Sequence, residues 1–131
     1  AEDNVINQKV VMRILEKKLG YTADVVNNGK EAIESLERSD YHLVLMDCQM
    51  RELDGYEATR IIRNENSSVR NHNIPIIAMT ASAMNGDREK CLEAGMNDYV
   101  TKPVNMQVLA DAIKRNLHDD IEQPSSTLPS K

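Results

Sequence analysis

Two short apolar runs and a third, mixed run, each ending on a chemically active side chain, constrain this chain more than any other feature. Leu43-Val44-Leu45-Met46 closes on Asp47, and Ile76-Ile77-Ala78-Met79 closes on Thr80. Asp98-Tyr99-Val100-Thr101 closes on Lys102-Pro103. Unbroken apolar runs, as opposed to alternating ones, mark strands covered on both faces, which is the habit of parallel sheets. Parallel strands deliver their ends to one edge, and open α/β sheets bind ligands at that carboxyl edge. Asp47, Thr80 and Lys102 are therefore expected to meet there.

The intervening segments read as helices. Ile6, Val10, Ile14 and Val11, Leu15, Leu19 repeat at helical spacing, so residues 4–19 form a helix that Gly20 ends. Residues 21–26 have the length and β-branched content of a strand. A short helix starting at Asn28-Gly29 carries Ala32, Ile33 and Leu36. Leu53-Asp54-Gly55 is a turn before the helix around Ala58, Ile61 and Ile62. Residues 64–73 are a polar loop and 74–79 a buried strand. Residues 87–94 form a helix that stops at Gly95, 99–101 a short strand, and 105–117 the last helix. The alternation predicts a three-layer, doubly wound parallel α/β domain over residues 1–118. Residues 119–131, rich in acidic residues, Pro and Ser, are expected to be a disordered tail or linker.

Composition narrows the function classes. Apolar residues make up 40% of the 131, yet Phe and Trp are absent, so the core must be built from aliphatic side chains and Met. The seven Met are read as core fillers. A net charge of −5 argues against a nucleic-acid partner. Cys48 and Cys91 have no metal spacing and are expected as free thiols in a reducing compartment. His42, His72 and His118 lack metal spacing or a nucleophile partner and are read as structural or surface residues. No run approaches the roughly 18 apolar residues of a membrane span, and no leader opens the chain. The expectation is a cytoplasmic domain without direct membrane contact, compatible with an anchor elsewhere in a longer parent.

Singly, these residues have ordinary explanations. An Asp ending a strand usually caps a helix or forms a turn, a strand-end Thr is common, and Lys-Pro is a frequent loop dipeptide. Their joint order is what carries information. Glu2-Asp3-Asn4 with Asn7-Gln8 precedes the run through Asp47-Cys48-Gln49-Met50, and Asp54-Gly55-Tyr56-Glu57-Ala58-Thr59-Arg60 follows it. Then come Thr80-Ala81, Cys91-Leu92-Glu93-Ala94-Gly95-Met96, Asp98-Tyr99 and Lys102-Pro103-Val104. Across residues 1–117 the chain resembles the receiver domain of two-component response regulators, most closely those of hybrid histidine kinases.

The resemblance implies a flavodoxin-like, chemotaxis-regulator-like sheet of strand order 2-1-3-4-5. It makes Asp47 the phosphoacceptor, a carboxylate nucleophile that takes a phosphoryl group from a phosphohistidine. The donor is a sensor histidine kinase or a histidine-containing phosphotransfer protein. Asp3, Asp47 and the backbone carbonyl of Gln49 would ligate Mg²⁺, with Glu2 acting through water; Mn²⁺ could substitute. Glu2, Asp3 and Asp47 set three negative charges against Lys102, a deficit that a divalent ion would cancel. Lys102 would pair with phosphoryl oxygens, Thr80 would hydrogen-bond the phosphoryl group, and small Ala81 would leave room for the donor. Tyr99 holds the aromatic switch position, turning inward when Thr80 moves. The Lys102-Pro103 peptide is cis in this family. The domain itself is not a turnover enzyme, although its parent could be a hybrid histidine kinase.

Two departures stand out. Arg51 occupies the place of a usual Pro in the loop after the phosphoacceptor. The family's first strand, central in its sheet, precedes the acidic pair, where this sequence has only Ala1. Apolar residues upstream of Ala1 are expected in the natural protein; a chain starting at Ala1 should compensate by strand swap, sheet rearrangement or oligomerisation. A haloacid-dehalogenase-like phosphotransferase needs a second Asp where Gln49 stands, and a flavin or nucleotide binder needs a glycine-rich phosphate loop that is missing. The remaining alternative is a non-phosphorylated interaction module with the same fold.

Overall fold

The computed structural model describes residues 1–50, 53–81 and 85–125, and for residues 85–87 and 118–125 it describes the backbone alone. Arg51 and residues 126–131 therefore lie outside the described residues, as does the side chain of His118. The elements run α1 (Val5–Met12), a π-helical continuation (Arg13–Lys18), α2 (Gly29–Arg38), β1 (Val44–Asp47), α3 (Gly55–Arg63), β2 (Ile76–Thr80), α4 (Asn85–Ala94), β3 (Asp98–Thr101) and α5 (Met106–Ser125).

Local chemistry sets the helix starts. Asn4, Asn28 and Asp54 each accept a hydrogen bond from the backbone N–H three residues on, capping α1, α2 and α3. Gly20 and Gly95 follow helices with φ of 77° and 108°, a left-handed region that glycine occupies without strain. The hydrogen-bonded sheet is parallel in the order β1-β2-β3, pairing Asp47 with Met79 and Thr80 with Thr101.

Strand periodicity sorts the core into two layers. Ile76 and Ala78 join Met46, Leu36, Ala58, Ile62 and Cys91 on one face, under α2, α3 and α4. Ile77 and Met79 join Val11, Leu15, Leu109 and Ile113 on the other, under α1 and α5. Met46, Met79 and Met96 are buried, so methionine fills the core that lacks Phe. At the amino end of β2, Arg63 donates from Nε to the Gly95 carbonyl and from its Nη atoms to the carbonyls of His72 and Ile74 and to Asn97 Oδ1, at 2.7–2.9 Å.

Three expectations change. Residues 21–26 form no strand; their tie to the neighbouring segment is one bond, from the Glu2 N–H to the Val26 carbonyl at 3.0 Å, too little for a ladder. The first helix turns π-helical from Arg13, with the Leu19 N–H reaching the Ile14 carbonyl. The last helix continues past Leu117 to Ser125. Beside β1, the Ala1 amine donates to the Leu45 carbonyl at 2.7 Å and the Ala1 carbonyl accepts from the Asp47 N–H at 3.0 Å. Ala1 and Glu2 thus bridge residues 21–26 and β1.

Candidate functional site

That bridging seats the acidic pair at the carboxyl edge of the sheet. Asp47 ends β1 and Thr80 ends β2, both buried, and Lys102 follows β3 with its N–H on the Thr80 carbonyl at 2.7 Å. The Lys102–Pro103 peptide is cis. Gly55, the first residue of α3, lies so close beneath β1 that a Cβ there would come within 2.2 Å of the Asp47 carbonyl oxygen. The Cys48 carbonyl accepts from the Gly55 N–H at 3.1 Å, so the helix start and the strand end are locked together.

Side chains converge on a cleft of about 260 Å³. Lys102 Nζ donates to Asp47 Oδ2 at 2.9 Å and lies 3.2 Å from Glu2 Oε1. The Gln49 N–H donates to Asp47 Oδ1 at 3.1 Å, and the Asn4 N–H donates to Glu2 Oε2 at 3.1 Å. Carboxylate oxygens of Glu2, Asp3 and Asp47 lie within 4.8 Å of one another. Glu2 Oε1 is buried without a hydrogen bond, because its approach to Lys102 is close enough for an ion pair but lacks hydrogen-bond geometry.

Electrostatics follow from this crowding. Burial, then hydrogen bonding and repulsion from Asp47, raise the Glu2 carboxyl above its ordinary 4.5. Burial alone would lower Lys102, but Asp47 and Glu2 outweigh it and hold the ammonium above its ordinary value. Cys48 is pushed up to about 12, chiefly by burial, so it stays a thiol beside Asp47.

A cation fits the donor set. Three hard carboxylates against one ammonium, plus a buried carboxylate oxygen without a hydrogen bond, is the arrangement a divalent ion completes. The structure thus brings together Glu2, Asp3, Asp47, Thr80, Ala81 and Lys102 around one cleft, with Gln49 at its rim. Tyr99 lies elsewhere, half-buried on β3 against the core layer of Met96 and Cys91. His42 is exposed, and His72 Nδ1 contacts the Ile62 carbonyl at 2.9 Å, away from the cleft.

Sequence reasoning passed over Asn7 and Tyr56, which also line the cleft. Asn7 sits one turn past the acidic pair, and Tyr56 one residue past the glycine packed under Asp47; both positions were available signals. The direct Glu2–Lys102 ion pair was likewise unexpected.

The Response regulator receiver domain family matches residues 1–114. Hybrid signal transduction histidine kinase I of Dictyostelium discoideum is 42% identical over 132 residues, covering 97% of this chain and 8% of that protein. Histidine kinase 5 of Arabidopsis thaliana is 39% identical over 140 residues, covering 89% of this chain and 15% of that one. The chain thus spans a small part of the curated relatives it matches. Among solved structures, the receiver domain of sensor histidine kinase PA1611 from Pseudomonas aeruginosa, with magnesium coordinated in its active site cleft, shares 44% identity at a TM-score of 0.79, covering 90% of this chain and 93% of that one. The receiver domain of Ssk1 from Saccharomyces cerevisiae, co-crystallised with the histidine phosphotransfer protein Ypd1, shares 34% identity at a TM-score of 0.76, covering 88% of this chain and 83% of the matched one.

Proposed function

Because this chain belongs to the response regulator receiver domain family of two-component signalling, we propose that Asp47 accepts a phosphoryl group from a phosphohistidine. A carboxylate oxygen of Asp47 attacks phosphorus, the P–N bond to the donor imidazole breaks, and an aspartyl phosphate forms. The observation that carries this reading is the Lys102 ammonium 2.9 Å from Asp47 Oδ2, inside a cluster of three carboxylates at the sheet edge. Lys102 neutralises charge gathering on the transferred oxygens. The Gln49 N–H fixes the other Asp47 oxygen and so aims the nucleophile. Thr80, beside it on β2, offers a hydroxyl to the arriving group.

Asp3 and Asp47, with the Gln49 carbonyl, would hold Mg²⁺ or, in its place, Mn²⁺, and Glu2 would act through water. When bound, the ion supplies Lewis-acid stabilisation of the phosphoryl oxygens. Movement of Thr80 and Lys102 toward the new dianion then lets Tyr99 repack, a local charge event that biases a two-state surface.

The donor is a histidine kinase or a histidine phosphotransfer protein. A docking face lies beside the cleft: Val5, Ile6 and Val10 of α1 are 59%, 72% and 43% exposed. An apolar helical partner suits that patch. No helix among the described residues is long and apolar enough to cross a membrane, and we place the domain in the cytoplasm, where such donors act. Incubation with acetyl phosphate and Mg²⁺ tests the assignment. Wild type should gain one phosphate by intact mass and Asp47→Asn none; equal labelling of both would remove Asp47 from its role.

A further inference from the structure

Cys48 directly follows Asp47, and its sulfur lies 3.9 Å from that of Cys91 on α4. Both residues are buried in the same core layer, 3% and 1% exposed. Cys48 is also one of the residues that line the cleft. A disulfide needs sulfurs about 2.05 Å apart, so a closure of roughly 2 Å by side-chain rotation and a small shift of α4 suffices. The strand side is fixed: Cys48 donates its N–H to the Met79 carbonyl at 3.0 Å and accepts from Gly55. The adjustment therefore falls on α4.

We propose that Cys48 and Cys91 form a reversible two-electron oxidation site whose disulfide ties the strand end carrying Asp47 to α4. The oxidant is a peroxide. Sulfur of Cys48 attacks a peroxide oxygen, the O–O bond breaks, and a sulfenic acid and one water result. Sulfur of Cys91 then displaces the hydroxyl as a second water and the S–S bond forms. Two thiol hydrogens leave in the waters, and the peroxide is reduced. The tether joins the phosphoacceptor strand to a helix across the core without adding charge to the cleft.

The test uses the folded chain and hydrogen peroxide, followed by denaturation and N-ethylmaleimide. The two maleimide adducts of untreated protein should fall to none, and a non-reducing digest should join the peptides carrying Cys48 and Cys91. Dithiothreitol should restore both adducts. Cys91→Ser and Cys48→Ser, each checked for folding by circular dichroism, should give no intramolecular cross-link. Hydrogen exchange in α4 should slow on oxidation of wild type. Independent over-oxidation of the two thiols, seen as adduct loss that dithiothreitol does not reverse and no joined peptide, would overturn the proposal. So would a cross-link that forms only in the denatured chain. None of these readouts involves phosphate, so their failure is separable from failure of the Asp47 assignment.

Discussion

The two ends of the central strand β2 both gather charged side chains, and they handle them in opposite ways. At the amino end the Arg63 guanidinium meets the carbonyls of Gly95, His72 and Ile74 and the Asn97 side chain, and Asn97 Oδ1 also accepts from the Ile76 N–H at 2.8 Å. That cluster closes a loop junction and is complete as it stands. At the carboxyl end, three carboxylates share one ammonium, and Glu2 Oε1 has no hydrogen bond. Completed polar clusters stabilise, while incomplete ones mark places where something else is meant to bind. The contrast separates a structural charge from a functional one without reference to sequence motifs.

The comparison can be broken by perturbing either end. The largest effect should come from Arg63→Ala, which strips donors from three carbonyls and Asn97. We expect a loss of about 3 kcal/mol by urea unfolding; a loss below roughly 1 kcal/mol would mean that solvent already serves those acceptors. Addition of Mg²⁺ should come next. At ten times its dissociation constant the ion should stabilise the wild type by about 1.4 kcal/mol, read as a rise in Tm, and Asp3→Asn should lose most of it. An identical shift in both proteins would place the ion elsewhere.

The smallest effect, and the sharpest in sign, belongs to Glu2. Its folded-state carboxyl is raised above 4.5, so the folded chain binds a proton that the unfolded chain has already released. That contribution is full below pH 4.5 and is lost as pH rises through the raised value. Glu2→Gln should therefore flatten this decline and stabilise the metal-free protein at pH 7. A more stable wild type at pH 7 without added metal would show that the Lys102 ion pair outweighs burial.

The strand ends were legible because continuous apolar runs report burial on both faces, and two such runs named Asp47 and Thr80 directly; the mixed run of Asp98–Thr101 pointed to Lys102 through its place in the order. The acidic pair was legible by motif alone: its placement depends on two backbone bonds of Ala1, which no periodicity signals. Residues 21–26 misled for the related reason that β propensity needs a pairing partner, and Val26 finds one at Glu2 only. The π-helical turn at Arg13–Lys18 hides inside an ordinary helical repeat. Tyr56 escaped notice because its place at the cleft comes from how α3 docks, a tertiary fact.

The glycine beneath β1 has a mechanical consequence. With 2.2 Å between a hypothetical Cβ at position 55 and the Asp47 carbonyl, helix start and strand end form one rigid floor with no slack for either to slide. On the proposed function, reshaping of the pocket would fall to the opposite wall, where Thr80 and Lys102 stand, and a methyl group at position 55 would tilt the floor itself.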